Sequence, residues 1–194
     1  MEAEVKFGRM KIGISGEKGS FSEQAANTYA QKNKIDDYEI VYLVDAENVL
    51  TSLDNGEIDK GIFPIENSNG GIVTEFVYAM AGHIFNIETM FEIDVQQCLL
   101  AKKGKNISDI KKIVSQRQAL RQCRMYLKRK WENMDLEEYI DTAKSAHDLG
   151  VGIIPENCAV IAPFGCAELY GLDVLEEGIQ DLKFNFTTFL VVTK

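Results

Sequence analysis

The sequence predicts an α/β fold of two lobes built on mostly parallel sheets. Short apolar runs alternate with helix-patterned stretches along the first part of the chain. Residues 84–100 stay strand-rich for longer than one strand runs, which marks a crossing into a second lobe. Residues 184–192 contain an alternating strand that must find a partner, expected back in the first lobe. The expected division is 1–93 plus 175–194 for the first lobe and 94–174 for the second.

Residues 1–8 show no periodicity and read as a tail, with the fold beginning near Arg9. Residues 11–15 form a buried strand. Gly16-Glu17-Lys18-Gly19 supplies a turn, and Ser20-Phe21-Ser22-Glu23 is a capping box opening a helix to Gln31. Residues 39–44 are a second strand and 46–55 a helix whose Val49, Leu50 and Leu53 share a face, closed by Gly56 at the C′ position. A third strand, 58–65, delivers Glu66 and Asn67 into the Gly-rich turn 67–71. A helix over 72–81 follows, so free backbone N–H groups there are expected to seat an anion. In the second lobe Ser108 starts a short helix. Strands at 113–115, 136–139 and 158–162 alternate with helices at 118–130, 142–149 and 164–170, and 172–175 is strand-like. Ligand crevices of parallel sheets lie beyond the carboxyl ends of their strands, where both 16–22 and 66–71 fall.

With 194 residues and 45% apolar composition the chain can bury a full core. A net charge of −9 and the lack of a basic stripe argue against nucleic acid, though not against a small acid in a locally positive cleft. No apolar run is long enough to span a bilayer and the amino terminus lacks a secretory layout, so a cytoplasmic protein without membrane contact is expected. Cys98, Cys123, Cys158 and Cys166 form no C-x-x-C pair and only His83 and His147 supply imidazoles. The reading is buried thiols in a reducing compartment and no metal site.

Several residues stand where chemistry is possible. Ser20 and Ser22 read first as helix caps, and residues at a helix start can hold a ligand as well. Pro64-Ile65-Glu66-Asn67 followed by Gly70-Gly71 is unusual for a plain turn. Ser115 to Gln122 puts polar and cationic groups at a strand-to-helix junction, for which a solvated helix face is the plainer account on composition alone. Asn185, Thr187 and Phe189 share one face of the last strand, with Phe186 and Thr188 on the other; cross-strand threonine pairing is the plainer account of that pattern.

Together these segments resemble the prephenate dehydratase catalytic domain, over essentially 10–194. The likeness rests on Gly16-x-x-Gly19-Ser20-Phe21-Ser22-Glu23-Gln24-Ala25-Ala26, Pro64-Ile65-Glu66-Asn67-Ser68, Ser115-x-x-Gln118-Ala119-Leu120-x-Gln122-Cys123 and Asn185-x-Thr187-x-Phe189, in order and spacing. The resemblance implies two lobes similar to type II periplasmic binding proteins with the active site between them. It implies decarboxylating dehydration of prephenate to phenylpyruvate, in L-phenylalanine biosynthesis, without metal or organic cofactor. By the resemblance Thr187 hydrogen-bonds the departing oxygen, Asn67 orients substrate, Glu66 is the matching acid, and Ser115 and Gln122 complete the catalytic set on closure. Ser20, Phe21, Ser22, Ser68, Gly70, Gly71, Lys183, Thr188 and Phe189 then contact substrate, and a homodimer is expected.

The family's Thr-Arg-Phe is Thr187-Thr188-Phe189 here, its usual histidine in the strand entering the second lobe is Gln97, and its His-Pro after the serine is Gln116-Arg117. Lys183, Arg117 or Arg121 would have to supply the missing cation. The chain ends at Lys194, so a following ACT domain and its feedback by phenylalanine are not expected. A prephenate decarboxylase or arogenate-type dehydratase on the same scaffold, and a non-catalytic small-acid binder, stay open.

Overall fold

The computed structural model describes residues 9–194, and the expectation of a tail over 1–8 lies outside the described residues. The first part of the chain forms β1 (Met10–Ile14), α1 (Phe21–Lys32), β2 (Tyr38–Tyr42), α2 (Ala46–Asp54), β3 (Lys60–Asn67), the short β4 (Gly71–Ile72), α3 (Thr74–Met80) and β5 (Asn86–Asp94). The chain then crosses to β6 (Gln97–Lys102), β7 (Lys112–Gln116), α4 (Arg117–Gln122), α5 (Arg124–Lys130), β8 (Asp135–Tyr139), α6 (Thr142–Gly150), β9 (Cys158–Pro163), α7 (Gly165–Tyr170) and β10 (Leu172–Glu176). It returns as β11 (Phe186–Thr193).

The strand orders are β2-β1-β3-β11-β5 and β10-β6-β9-β7-β8. Parallel pairs join β2, β1 and β3 in one sheet and β8, β7 and β9 in the other. Apart from the short β3–β4 pair, the antiparallel pairs sit where the chain passes between lobes: β11 lies between β3 and β5, and β6 between β9 and β10. Return to the first sheet comes after Glu176.

Each sheet is covered on both faces. In the first lobe α1 packs Ala25, Ala26 and Tyr29 against Ile12, Ile14 and Ile62, while α2 packs Val49, Leu50 and Leu53 beside Phe63 and Leu190 on the other face. Full burial of each such aliphatic or aromatic side chain contributes about 1.5–3 kcal/mol. Phe63 and Phe76 stack at 4.8 Å, which fixes the short α3 against the sheet. All four cysteines are free and buried, and burial pushes the Cys166 thiol up to about 12.

Three elements differ from the sequence reading. The third strand runs on through Asn67, because β11 and β4 continue to pair with it. The helix expected from 72 starts at Thr74, since Gly71, at φ +77°, turns Ile72 back onto Glu66. The single helix expected over 118–130 breaks at Cys123. There the Asp181 carboxylate accepts from the amides of Met125 (2.7 Å) and Tyr126 (2.8 Å) and so caps a new helix start.

Candidate active site between the lobes

The floor of the interlobe cleft is the end of β3 beside the start of β11. Antiparallel register pairs Thr187 with Asn67 and Thr188 with Glu66, but Phe189 with Pro64, so Ile65 is an extra residue in β3. Ile62 and Phe189 pack on the α1 side of the sheet, and Pro64 lines the cavity on that side. Strict alternation would bring Glu66 there next; the bulge gives that place to Asn67 instead. Asn67 is 4% exposed and Thr187 9%, whereas Glu66 is exposed on the opposite face.

Asn67 is oriented without ambiguity. Its Oδ1 accepts from the backbone amides of Gly70 (2.7 Å) and Asn69 (3.0 Å), which can only donate. Its Nδ2 therefore donates, to Thr187 Oγ1 and Asn185 Oδ1 at 2.9 Å each and to the Phe186 carbonyl at 3.1 Å. Asn185 Nδ2 is fixed by the Val95 carbonyl at 3.0 Å. Across the cleft Gln122 Nε2 donates to Asn67 Oδ1 (3.3 Å), and Gln122 Oε1 accepts from Asn185 Nδ2 (3.2 Å) and Gln97 Nε2 (3.1 Å). Donation thus runs Gln97, Gln122, Asn67, Thr187. With its oxygen already accepting, Thr187 keeps its own proton available to a ligand.

A cavity of about 190 Å³ opens above these groups. One wall is the start of α1, a 12-residue helix with Ser20 as N-cap, where the Ser20 hydroxyl accepts from Glu23 N at 3.3 Å. Its first amides, on Phe21 and Ser22, lie too early in the helix for an intrahelical partner, and with the Ser22 hydroxyl they form an anion-favouring end. Gly16, at φ +112°, brings the preceding turn within 2.9 Å of the Ser20 hydroxyl, measured from where a Cβ would stand. The facing wall comes from the second lobe: Gln97, Gln116, Gln118, Ala119, Gln122 and the start of α6 at Asp141 and Thr142. Phe21, Pro64, Val95 and Phe189 give it an apolar side, and Glu75 stands at the start of α3. Among the described residues lining it there is no lysine or arginine.

An adjoining hollow of about 210 Å³ shares Gln118 and Gln122 and carries Arg121, Asn69, Gly70 and Asp181. Gln118 packs so closely on Gly70 that a Cβ there would stand 2.1 Å from its Nε2.

Of the expected site residues, the structure brings Thr187, Asn67, Gln122, Ser20, Phe21, Ser22 and Phe189 together around the cavity. It places others elsewhere. Glu66 is turned away by the bulge. Thr188 faces the same outer side, opposite Glu66 on β3 and Glu92 on β5, so an arginine at 188 would meet two carboxylates on that face and not a ligand in the cleft. Ser115 is wholly buried and its hydroxyl donates to the Ile161 carbonyl at 2.6 Å, a sheet contact. Ser68 donates to the Phe184 carbonyl and accepts from Phe186 N, holding the loop before β11. Gly70 lines only the adjoining hollow, Gly71 is exposed in its turn, and Lys183 is exposed outside the cavity. The anion seat expected in the 67–71 turn is absent there, because the Asn69 and Gly70 amides are consumed by Asn67 Oδ1. Of the three candidate cations, Arg117 approaches Glu138 at 3.6 Å on the surface and only Arg121 reaches the neighbourhood of the cleft. Gln97, Asn185, Asp141 and Glu75 were not assigned to the site from sequence. Gln97 stands out only as a departure from the family residue and Asn185 only by sharing a strand face with Thr187, and nothing local marks Asp141 or Glu75.

The family model for prephenate dehydratase matches residues 12–194. A bifunctional chorismate mutase/prephenate dehydratase of Buchnera aphidicola is 31% identical over 179 residues, covering 92% of this chain and 46% of that protein. Arogenate dehydratase 2 of Petunia hybrida is 28% identical over 186 residues, covering 96% of this chain and 45% of its own. The chain therefore spans about half the length of the curated relatives it matches. A crystal structure of a prephenate dehydratase from Arthrobacter aurescens, in complex with L-Phe, superposes with a TM-score of 0.86 at 28% identity, over 95% of this chain and 60% of that one. The fold is the two-lobed, type II periplasmic-binding-protein-like one.

Proposed function

The chain belongs to the prephenate dehydratase family, and from that premise we propose that it catalyses the decarboxylating dehydration of a cyclohexadienyl acid, prephenate to phenylpyruvate or its amino counterpart, in phenylalanine biosynthesis. The observation that carries this reading is the 2.9 Å contact from Asn67 Nδ2 to Thr187 Oγ1, with the amide's orientation fixed by backbone donors.

In the reaction the ring C–O bond and the ring C–carboxylate bond both break. The electron pair of the C–C bond moves into the ring as hydroxide departs, giving carbon dioxide, hydroxide and an aromatic product. Aromatisation drives the step, so the chemistry calls on no metal or organic cofactor. What the protein must supply is a donor at the departing oxygen, seats for two carboxylates and exclusion of water. Thr187 is the donor, set by Asn67 and Asn185. The start of α1, with Ser20 and Ser22, seats one carboxylate, and Arg121 stands where the adjoining hollow would receive the other. Phe21, Val95 and Phe189 flank the ring. Gln122 acts across the cleft, so its bonds to Asn67 and Asn185 are those made when the lobes close.

No described helix is long and apolar enough to cross a membrane. Cytoplasmic residence accords with four buried free thiols, and a homodimer accords with the exposed Ile87 and Met90 on the edge strand β5. The deciding experiment is incubation of the purified chain with prephenate and with arogenate at neutral pH, followed by mass and alkaline ultraviolet analysis of products. Phenylpyruvate or phenylalanine is expected. A non-aromatic decarboxylated acid would replace the reading with a decarboxylase, and unchanged but bound substrate would leave a small-acid binder.

A further inference from the structure

Gln97 is 3% exposed and lines the cavity, and its Oε1 is the one buried side-chain polar atom among the described residues with no hydrogen-bond partner. Amides are often drawn either way round, but this one is fixed. The order of donation is anchored at the backbone amides of Asn69 and Gly70 and at the Val95 carbonyl, and passes through Asn67, Asn185 and Gln122. Gln122 must present its oxygen to Gln97, so Gln97 presents its nitrogen in return. The atom left over is an acceptor. A buried acceptor without a donor is costly, so a ligand that supplies the donor gains from it and one that brings another acceptor does not.

The charge of the lining points the same way. Asp141 and Glu75 border the cavity and no cation does; Asp141 Oδ1 accepts from Lys144 N at 2.9 Å, which leaves its second oxygen uncommitted by that bond. Of the two acids the proposed reaction can consume, the keto acid offers a carbonyl oxygen and two carboxylates beside its ring hydroxyl, a dianion. The amino acid replaces that carbonyl by an ammonium group and carries one net negative charge.

Resting on the dehydratase reading above, we infer that Gln97 is a specificity-determining residue whose Oε1 accepts from a substrate ammonium group, so that this site takes the α-amino acid, arogenate, in preference to the α-keto acid. Sites built to hydrogen-bond a substrate N–H discriminate strongly against analogues lacking it, because the buried partner is then left unpaired.

The test is steady-state kinetics with arogenate and prephenate on the intact chain and on Gln97→Met, which keeps the length of the side chain and removes the acceptor. Expected are a kcat/KM at least about 100-fold higher for arogenate and a fall of that ratio by at least about tenfold in the variant. A structural role alone would lower both substrates together and leave the ratio in place. A ratio near one, a preference for prephenate, or a ratio unchanged in Gln97→Met overturns the inference while leaving the dehydratase standing. If neither compound is turned over, the dehydratase reading fails instead. Calorimetric titration with the same two compounds then decides: tighter binding of arogenate, lost in Gln97→Met, upholds the role of Gln97, and equal or tighter binding of prephenate removes it.

Discussion

Replacing Asn67 by aspartate changes one atom group and reverses one direction of donation. Oδ1 keeps its place as acceptor for Asn69 N, Gly70 N and Gln122 Nε2, but Nδ2 becomes an oxygen facing Asn185 Oδ1, the Phe186 carbonyl and Thr187 Oγ1. The carbonyl cannot donate, and Asn185 is held by Val95. Only the threonine hydroxyl can turn, and in doing so it gives up the proton meant for the substrate. Two lost bonds and facing acceptors at 2.9 and 3.1 Å set a stability cost of about 3–5 kcal/mol at neutral pH. Turnover should fall by roughly 10²–10⁴, the usual worth of a positioned proton donor. Burial among acceptors favours the neutral carboxyl, so the new group's folded pKa lies above its unfolded value of about 3.9. A raised folded pKa contributes stability at low pH that is lost as pH rises through it. The variant's deficit against the parent should therefore shrink as pH is lowered toward about 4. Denaturant melts at several pH values and single-turnover rates check both parts. Near-parental turnover at neutral pH would refute the assignment of Thr187 as a donor set by Asn67.

Three further outcomes follow from the same geometry. Thr188→Arg should pair with Glu66 and Glu92 on the outer face, raising stability by about 0.2–1 kcal/mol per pair and leaving kcat/KM within about twofold; a lowered KM with no thermal shift would move position 188 into the cleft. Arg121→Gln should raise KM roughly tenfold with little change in kcat if that guanidinium meets a substrate carboxylate, and an unchanged KM would dismiss it. Asp148 is nearly buried; burial alone would raise its carboxyl, but hydrogen bonds from Lys144, Tyr139 and His147 outweigh it and hold the group at about 2. Asp148→Asn should cost about 2 kcal/mol at pH 7, and the difference from the parent should vanish as pH falls from about 4 toward 2, because a lowered folded pKa stabilises above the unfolded value and is lost below it. Parallel melting curves at all pH values would contradict this.

Periodicity carried most of the fold, because helices and strands each expose one face and alternate along this chain. The break at Cys123 escaped it, since the cap that causes it comes from Asp181, far along the sequence. In the site, residues at element ends with a local signature were legible: Ser20 and Ser22 at a helix start, and Asn185, Thr187 and Phe189 on an alternating strand. Ser115 was not, because a strand buried on both sides shows no alternation to say which space a hydroxyl enters. Gln97 and Asp141 reach the cavity only through the packing of one lobe against the other, and no local pattern reports that.

The extra residue at Ile65 has a consequence for how this site can vary. Because neighbouring positions of a strand address opposite sides of a sheet, the group presented to a ligand here is specified by a count of residues as much as by their identity. Insertion of one residue between Pro64 and Glu66, with the bulge kept, would bring Glu66 opposite Thr187 and exchange the amide for a carboxylate with every other codon intact, whereas loss of Ile65 would remove the bulge and leave Asn67 in place. Surveys of point substitutions alone would pass over that route. Libraries that delete or insert single residues in this strand would sample chemistry at the cleft that no single replacement reaches.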